Sequence, residues 1–191
     1  MASVVLIGPP AVGKSSVGRR LAQLTHRPFV DLDAEAAPAY ERAGRPRTSL
    51  ERRAEEHGFV EAHRWWQPAR IAALRTVDDY PDAVVALGAG HSHYEDERFQ
   101  TNARSALRSS WVVLLLPAPS LDESLRVLRA RSLHAKGHDW IRDGRDFLAE
   151  WIASTQNRTL ADHVVYTHEK TPEQVARELG RTARSSRAHP E

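Results

Sequence analysis

Residues 8–15 read Gly-Pro-Pro-Ala-Val-Gly-Lys-Ser, a full match to the pattern G-x-x-x-x-G-K-[ST], and the flanking residues decide what the match means. Before it, residues 3–7 (SVVLI) form a short uncharged run of mostly β-branched residues, which predicts a buried parallel strand. After it, Val17, Leu21 and Leu24 recur at the spacing of one helix face. A loop at a strand-to-helix junction aims backbone N–H groups and the positive end of a helix dipole at an anion. The predicted triphosphate cradle is therefore Gly8, Pro9, Pro10, Ala11, Val12, Gly13, Lys14, Ser15 and Ser16. Lys14 reaches for the β- and γ-phosphates in such a loop, and the Ser15 hydroxyl holds Mg²⁺. ATP and Mg²⁺ are the expected cofactors.

A chain of 191 residues suits one α/β domain rather than two. The domain is expected over residues 1–180, with a polar, basic and disordered tail over 181–191. A net charge of +2 supplies no field for nucleic acid, so none is expected as a partner. Lysine occurs only at positions 14, 136 and 170, which singles out Lys14 in a chain rich in arginine. The absence of cysteine excludes thiol nucleophiles and thiolate metal sites. No apolar run approaches the ~20 residues needed to span a bilayer. The N-terminus enters a strand directly without a leader, so a cytoplasmic protein, monomeric or homodimeric, is the expectation.

Further along, strands alternate with helices, the pattern of a parallel sheet covered on both faces. Residues 28–33 predict a second strand ending in acids. Residues 34–80 carry no strand and read as a helical insert of two or three helices broken at Gly44-Arg45-Pro46 and near Gly58. Residues 82–87 and 111–116 predict a third and a fourth strand. Ser120 and Glu123 form a capping box for the helix that follows. Residues 132–146 are polar and hold two glycines, which fits a lid or an exposed loop. Residues 162–166 predict the fifth strand, and Thr171-Pro172-Glu173 opens the last helix.

Ligands of open α/β sheets bind at the carboxyl ends of the strands. Two further polar groups of residues fall at such ends. Asp31 and Asp33 close the second strand, and Gly88-Ala89-Gly90 with His91 follow the third. Carboxylates two positions apart share one face of a regular strand, and a strand that ends between them lets them take different roles at one phosphoryl-transfer site. That division would place Asp31 near Mg²⁺ through water and give Asp33 the acceptor hydroxyl as base; the other reading of Asp33 is a helix N-cap. Gly88, Ala89, Gly90 and His91 would then lie against the acceptor. Arg64, in the insert, is a candidate clamp for an acceptor carboxylate or phosphate. Of Trp65 and Trp66, one is expected in the core and the other along a pocket.

The order of these motifs resembles the shikimate kinase family of small-molecule kinases. The resemblance rests on GPPAVGKS, on Asp31-Leu32-Asp33, on Gly44-Arg45, on Arg64 after Gly58, and on Ala86-Leu87-Gly88-Ala89-Gly90. It implies a three-layer α/β fold with a five-stranded parallel sheet, a helical insert and a lid. It also implies transfer of the γ-phosphate of MgATP to a hydroxyl of a small polar metabolite, shikimate or another polyol, sugar or natural product. The roles implied for single residues are Mg²⁺ and substrate for Asp31 and Asp33, the substrate carboxylate for Arg64, and the substrate ring for Gly88 and Gly90. Arg129, Arg131, Arg142 and Arg145 are left to supply lid charges, with Arg129 and Arg131 toward ATP.

The chain departs from the pattern at five places, one of them the lid, where residues 132–146 lack the Arg-Pro signature followed by leucines. Ala89 replaces a glycine, Gln67 replaces a glutamate, and Arg64 lies one residue farther from Gly58. Residues 153–156 (ASTQ) stand where a second carboxylate-binding arginine belongs, a loss of roughly 1.5–3 kcal/mol for such a contact. Two other readings use the same loop: a nucleoside or nucleotide kinase with Trp65 and Trp66 against a base, and a nucleotide-binding regulatory module without turnover.

Overall fold

The computed structural model describes residues 2–185. Four runs lead the core: β1 (Val4–Ile7), β2 (Phe29–Asp31), β3 (Val84–Ala86) and β4 (Trp111–Leu116). Val5, Leu6, Ile7, Val84, Val85 and residues 113–116 are all at most 2% exposed. Strands buried on both faces gain about 1.5–3 kcal/mol for each large aliphatic side chain, which is why these runs are continuously apolar rather than alternating. With the last strand, His163–Tyr166, they make one five-stranded parallel sheet in the order β2-β3-β1-β4 and then that last strand. Val5 lies opposite both Val85 and Val112, which puts β1 at the centre.

Parallel neighbours need helical crossovers. The first is α1 (Lys14–Thr25), with Val17, Leu21 and Ala22 buried. The insert then holds five helices: α2 (Leu32–Glu35), α3 (Ala37–Arg42), α4 (Arg47–His57), α5 (Phe59–Trp65) and α6 (Gln67–Arg75). The expected breaks at Gly44–Pro46 and Gly58 are present. Two further breaks fall at Ala36 and at Trp66, with Pro68 in the first turn of α6, so the two or three helices expected are five. α7 (Glu97–Leu107) leads into β4, and α8 (Leu121–Lys136) follows it. Ser120 accepts from the backbone N–H of Glu123, as the capping box predicts.

Residues 132–136 belong to α8, so only the later part of the predicted lid leaves the helix. It forms a hairpin of β5 (Ile141–Arg142) and β6 (Arg145–Asp146). Asp143 and Gly144, both with positive φ, make its turn, the Asp-Gly geometry favoured in tight hairpins. Then come α9 (Phe147–Ala153), α10 (Thr155–Leu160), β7 (His163–Tyr166) and α11 (Pro172–Ser185). The expectation of a disordered tail from residue 181 is corrected over its first part. α11 runs through Ser185 because Val175, Ala176 and Leu179 anchor its inner face. Residues 186–191 lie outside the described residues. Among the described residues, no helix is long and apolar enough to cross a membrane.

Candidate active site

The phosphate loop leaves β1 at Gly8, whose φ of +136° and whose approach to the Leu115 carbonyl both exclude a side chain. Gly8, Pro9, Pro10 and Val12 are buried, with the Val12 side chain 1% exposed in the core. Lys14 Nζ donates to the carbonyl oxygens of Gly8 and Pro9, each at 2.8 Å. The Ser15 hydroxyl donates to Asp31 Oδ2 at 2.9 Å. Strand β2 does end between the two acids: Asp31 is its last residue and Asp33 lies in the first turn of α2. Asp31 occupies the N-cap position of α2, and its side chain makes no capping bond. Asp33 is therefore not a cap, and its side chain is 55% exposed.

Across from Asp33 lies the turn after β3, a single 3₁₀ turn over Ala89–Ser92. A side chain at position 88 would collide with the Asp33 carboxylate, so this glycine makes room for it. His91 is 2% exposed. Burial lowers its pKa to about 4 against the opposite pull of Asp33, so the ring is neutral at pH 7. One cavity of about 710 Å³ brings these elements together. Pro10, Ala11, Gly13, Lys14, Ser15, Ser16, Asp31 and Asp33 line it, as do Gly88, Ala89, Gly90, His91 and Arg131.

Five predicted residues do not line that cavity: Gly8, Pro9 and Val12, which are buried in the loop's base, and Arg64 and Arg129. The Arg64 side chain is 57% exposed and its Nε donates to Glu95 Oε2 at 2.7 Å. The break at Trp66 turns the chain, so the arginine that enters the cavity wall is Arg70 on α6. Arg129 pairs with Asp146 at the foot of the hairpin and does not line the cavity.

Arg70 is the residue that the sequence reading missed. It is 6% exposed and donates to the backbone carbonyls of Gly90 (2.5 Å), His93 (3.3 Å) and His63 (3.2 Å). Burial lowers its pKa, and no carboxylate of the described residues lies within ion-pair distance of it. A desolvated guanidinium without an acid favours an anion brought by a ligand. Arg47, His63, Phe59, Trp66, Trp140 and Trp151 also line the cavity. Burial holds His63 neutral, with its pKa lowered to about 3. Of the tandem tryptophans, Trp66 is 5% exposed and on the cavity wall, whereas Trp65 packs under the guanidinium of Arg45.

The stretch that lacks the second arginine has a structural use. Gln156 Oε1 accepts from Tyr94 N at 2.9 Å and its Nε2 donates to Tyr94 O at 2.6 Å, pinning the segment behind Gly90. Arg158 is exposed. Gln67 likewise bridges Arg64 O and Glu95 N.

The Ser15–Asp31 pair gives hard oxygen donors beside the phosphate loop, which fits Mg²⁺. Among the described residues no group of three or more His, Cys, Asp or Glu side chains could hold a metal.

Known proteins resemble this chain in sequence and in fold. A family model described as shikimate kinase matches residues 10–184. The shikimate kinase of Pseudomonas syringae pv. tomato is 31% identical over 180 residues, 94% of each chain. That of Chromohalobacter salexigens is 28% identical over 183 residues, 93% of this chain and 89% of the other. Among solved structures, a shikimate kinase from Acinetobacter baumannii in complex with shikimate has a TM-score of 0.65 at 20% identity, covering 97% of this chain and 94% of that one. A gluconokinase from Sinorhizobium meliloti is more distant, with a TM-score of 0.53 at 19% identity over 100% and 98% of the two chains. At those identities the structures speak for the fold, and the family rests on the matched sequence: this chain belongs to the shikimate kinase family.

Proposed function

We propose that this chain phosphorylates a hydroxyl of a small polar metabolite that also carries an anionic group, using MgATP. The phosphotransferase class, ATP and Mg²⁺ come with the family; the acceptor and the role of each residue are the proposal. The observation that carries it is the single cavity shared by Lys14, Ser15 and Asp31 from the donor elements and by Asp33, Gly88, His91 and Arg70 from the acceptor elements.

Residues 8–16 cradle the phosphates, and Lys14 exchanges its carbonyl partners for phosphate oxygens. Ser15 and Asp31 hold Mg²⁺, which when bound neutralises charge on the phosphoryl group in flight. Asp33 binds the acceptor hydroxyl and takes its proton as the new O–P bond forms. Arg70 faces the acceptor's anionic group in the place expected of Arg64. Arg131 supplies the lid-side charge, and the hairpin of β5 and β6 shuts water out. The setting proposed for this activity is a single domain that ends with α11 (Pro172–Ser185), in the cytoplasm, as a monomer or homodimer.

The test is a coupled ADP-release assay across hydroxylated acids, polyols, sugars and nucleosides, with shikimate first. The expected result is an Mg²⁺-dependent rise of at least about tenfold over the acceptor-free rate with a hydroxylated acid. A response confined to nucleosides, or to acceptors without any anionic group, would overturn the proposal.

A further inference from the structure

We propose that Tyr40 and His91 are positioning residues that hold the Asp33 carboxylate in place for the acceptor hydroxyl, with His91 locked in the neutral tautomer that carries its proton on Nδ1. The inference rests on the reading of Asp33 as the acceptor-side carboxylate.

The lock starts at Tyr40, which is 1% exposed on α3. Its hydroxyl lies 2.8 Å from His91 Nε2. Burial raises the pKa of that hydroxyl above its ordinary value, so it keeps its proton and is the donor of the pair. Nε2 is then an acceptor, and a neutral imidazole with Nε2 accepting carries its hydrogen on Nδ1. The backbone of His91 is fixed as well. Its N–H donates to Gly88 O at 3.0 Å and its carbonyl accepts from the Tyr94 hydroxyl at 2.9 Å.

Nδ1 is buried and makes no hydrogen bond of normal geometry, with the Gly88 backbone the other polar neighbour acting on the ring. Nδ1 lies 3.7 Å from Asp33 Oδ1. A small rotation of the half-exposed Asp33 side chain closes that gap to a hydrogen bond, and the missing side chain of Gly88 leaves the room for it. With Oδ1 held by Nδ1–H, Oδ2 is presented to the acceptor. The acceptor's O–H bond then breaks toward Oδ2 while its oxygen bonds to phosphorus and the bond to the ADP oxygen breaks. His91 moves no proton. Its work is orientation, and a loosely held carboxylate loses rate through poor alignment rather than through weaker binding of ATP.

Long-range ¹H–¹⁵N spectra of the imidazole rings test the lock without turnover. The expected wild-type spectrum shows His91 protonated on Nδ1. Tyr40→Phe, which removes one oxygen, should mix the tautomers, and Asp33→Asn should move the Nδ1 signal. Kinetics with MgATP and shikimate as first acceptor supply the second readout. An Asn amide lies near the position of Nδ1 and a Gln amide near that of Nε2, so His91→Asn should retain about a third of kcat while His91→Gln loses about 30-fold. The KM for ATP should stay within about twofold in both variants. A wild-type ring protonated on Nε2 overturns the proposal, as do equal losses in the Asn and Gln variants. Spectra as expected from an enzyme that phosphorylates no acceptor would instead sink the role of Asp33 and leave the tautomer lock standing.

Discussion

The Ser15 hydroxyl and the Asp31 carboxylate meet at 2.9 Å, joining the start of α1 to the end of β2. The two residues are sixteen apart in sequence and come together because β1 and β2 both end at this edge of the sheet. Replacing Asp31 by Asn removes the charge and keeps the shape. The Mg²⁺ concentration for half-maximal ADP release should rise about tenfold, ~1.4 kcal/mol, the low end for a bond to a charged group. An unchanged Mg²⁺ midpoint would take Asp31 out of the metal site.

The Lys14 ammonium donates to two carbonyls of the loop itself, and the residue is only partly buried. Lys14→Ala should therefore leave the melting temperature nearly unchanged. Its kcat should fall about 10²–10³-fold, as for the loss of one group that stabilises developing charge. Thermal melts beside ADP release separate the two effects, and wild-type turnover in this variant would end the phosphate-loop mechanism.

Asp33 is half exposed, caps no helix, and faces the acceptor elements. Asp33→Asn should lower kcat about 10²–10⁴-fold, the range for a general base, with the KM for ATP within about twofold. A loss of ATP affinity with kcat preserved would move Asp33 to the donor side.

The donor side was legible because its signal is local. A strand, a loop of fixed length and a helix each have their own pattern, and β4 lies over residues 111–116 as expected. Asp31 and Asp33 were legible because they close a strand, at the end of the sheet where ligands of open α/β folds bind. The acceptor side depends on helix phase. Arg64 and Arg70 lie on different faces of any straight helix, and the bend at Trp66 decides which one turns inward. Nothing in the spacing of residues 59–75 fixes where that helix pair sits on the sheet. The hairpin did leave a signal, Asp143-Gly144, but strands of two residues are too short to show alternation. The helix through Ser185 was hidden by polar composition, although Val175 and Leu179 had already set its face.

That bend can be tested directly. Arg64 sits on the surface in an ion pair with Glu95, so Arg64→Ala should cost about 0–1 kcal/mol of stability and leave the acceptor KM within about twofold. Arg70→Met removes a buried guanidinium that lines the cavity. It should raise the KM for an anionic acceptor by at least about tenfold, from the loss of a charged hydrogen bond worth about 1.5–3 kcal/mol. The opposite ranking of the two variants would put the acceptor's anionic group on Arg64.

His63 makes the stability of the insert sensitive to acid. Its ring packs 4.0 Å from that of Phe59. Burial first, then the Arg70 and His91 charges, lower its pKa from 6.5 to about 3. Between those two values the unfolded chain binds a proton at this residue and the folded chain does not. The stabilisation is therefore complete above pH 6.5 and is lost as the pH falls from there toward 3. The slope for one such group is at most ~1.4 kcal/mol per pH unit, or about 2 kcal/mol between pH 6.5 and 5. His91 and His93 are shifted in the same direction, so the informative quantity is a difference between proteins. Urea unfolding at pH 7, 6 and 5 should show wild type losing stability faster than His63→Phe, by about that 2 kcal/mol at pH 5. Parallel pH dependences in the two proteins would mean that His63 takes up its proton in the folded state, and that the wall beside Phe59 is wet.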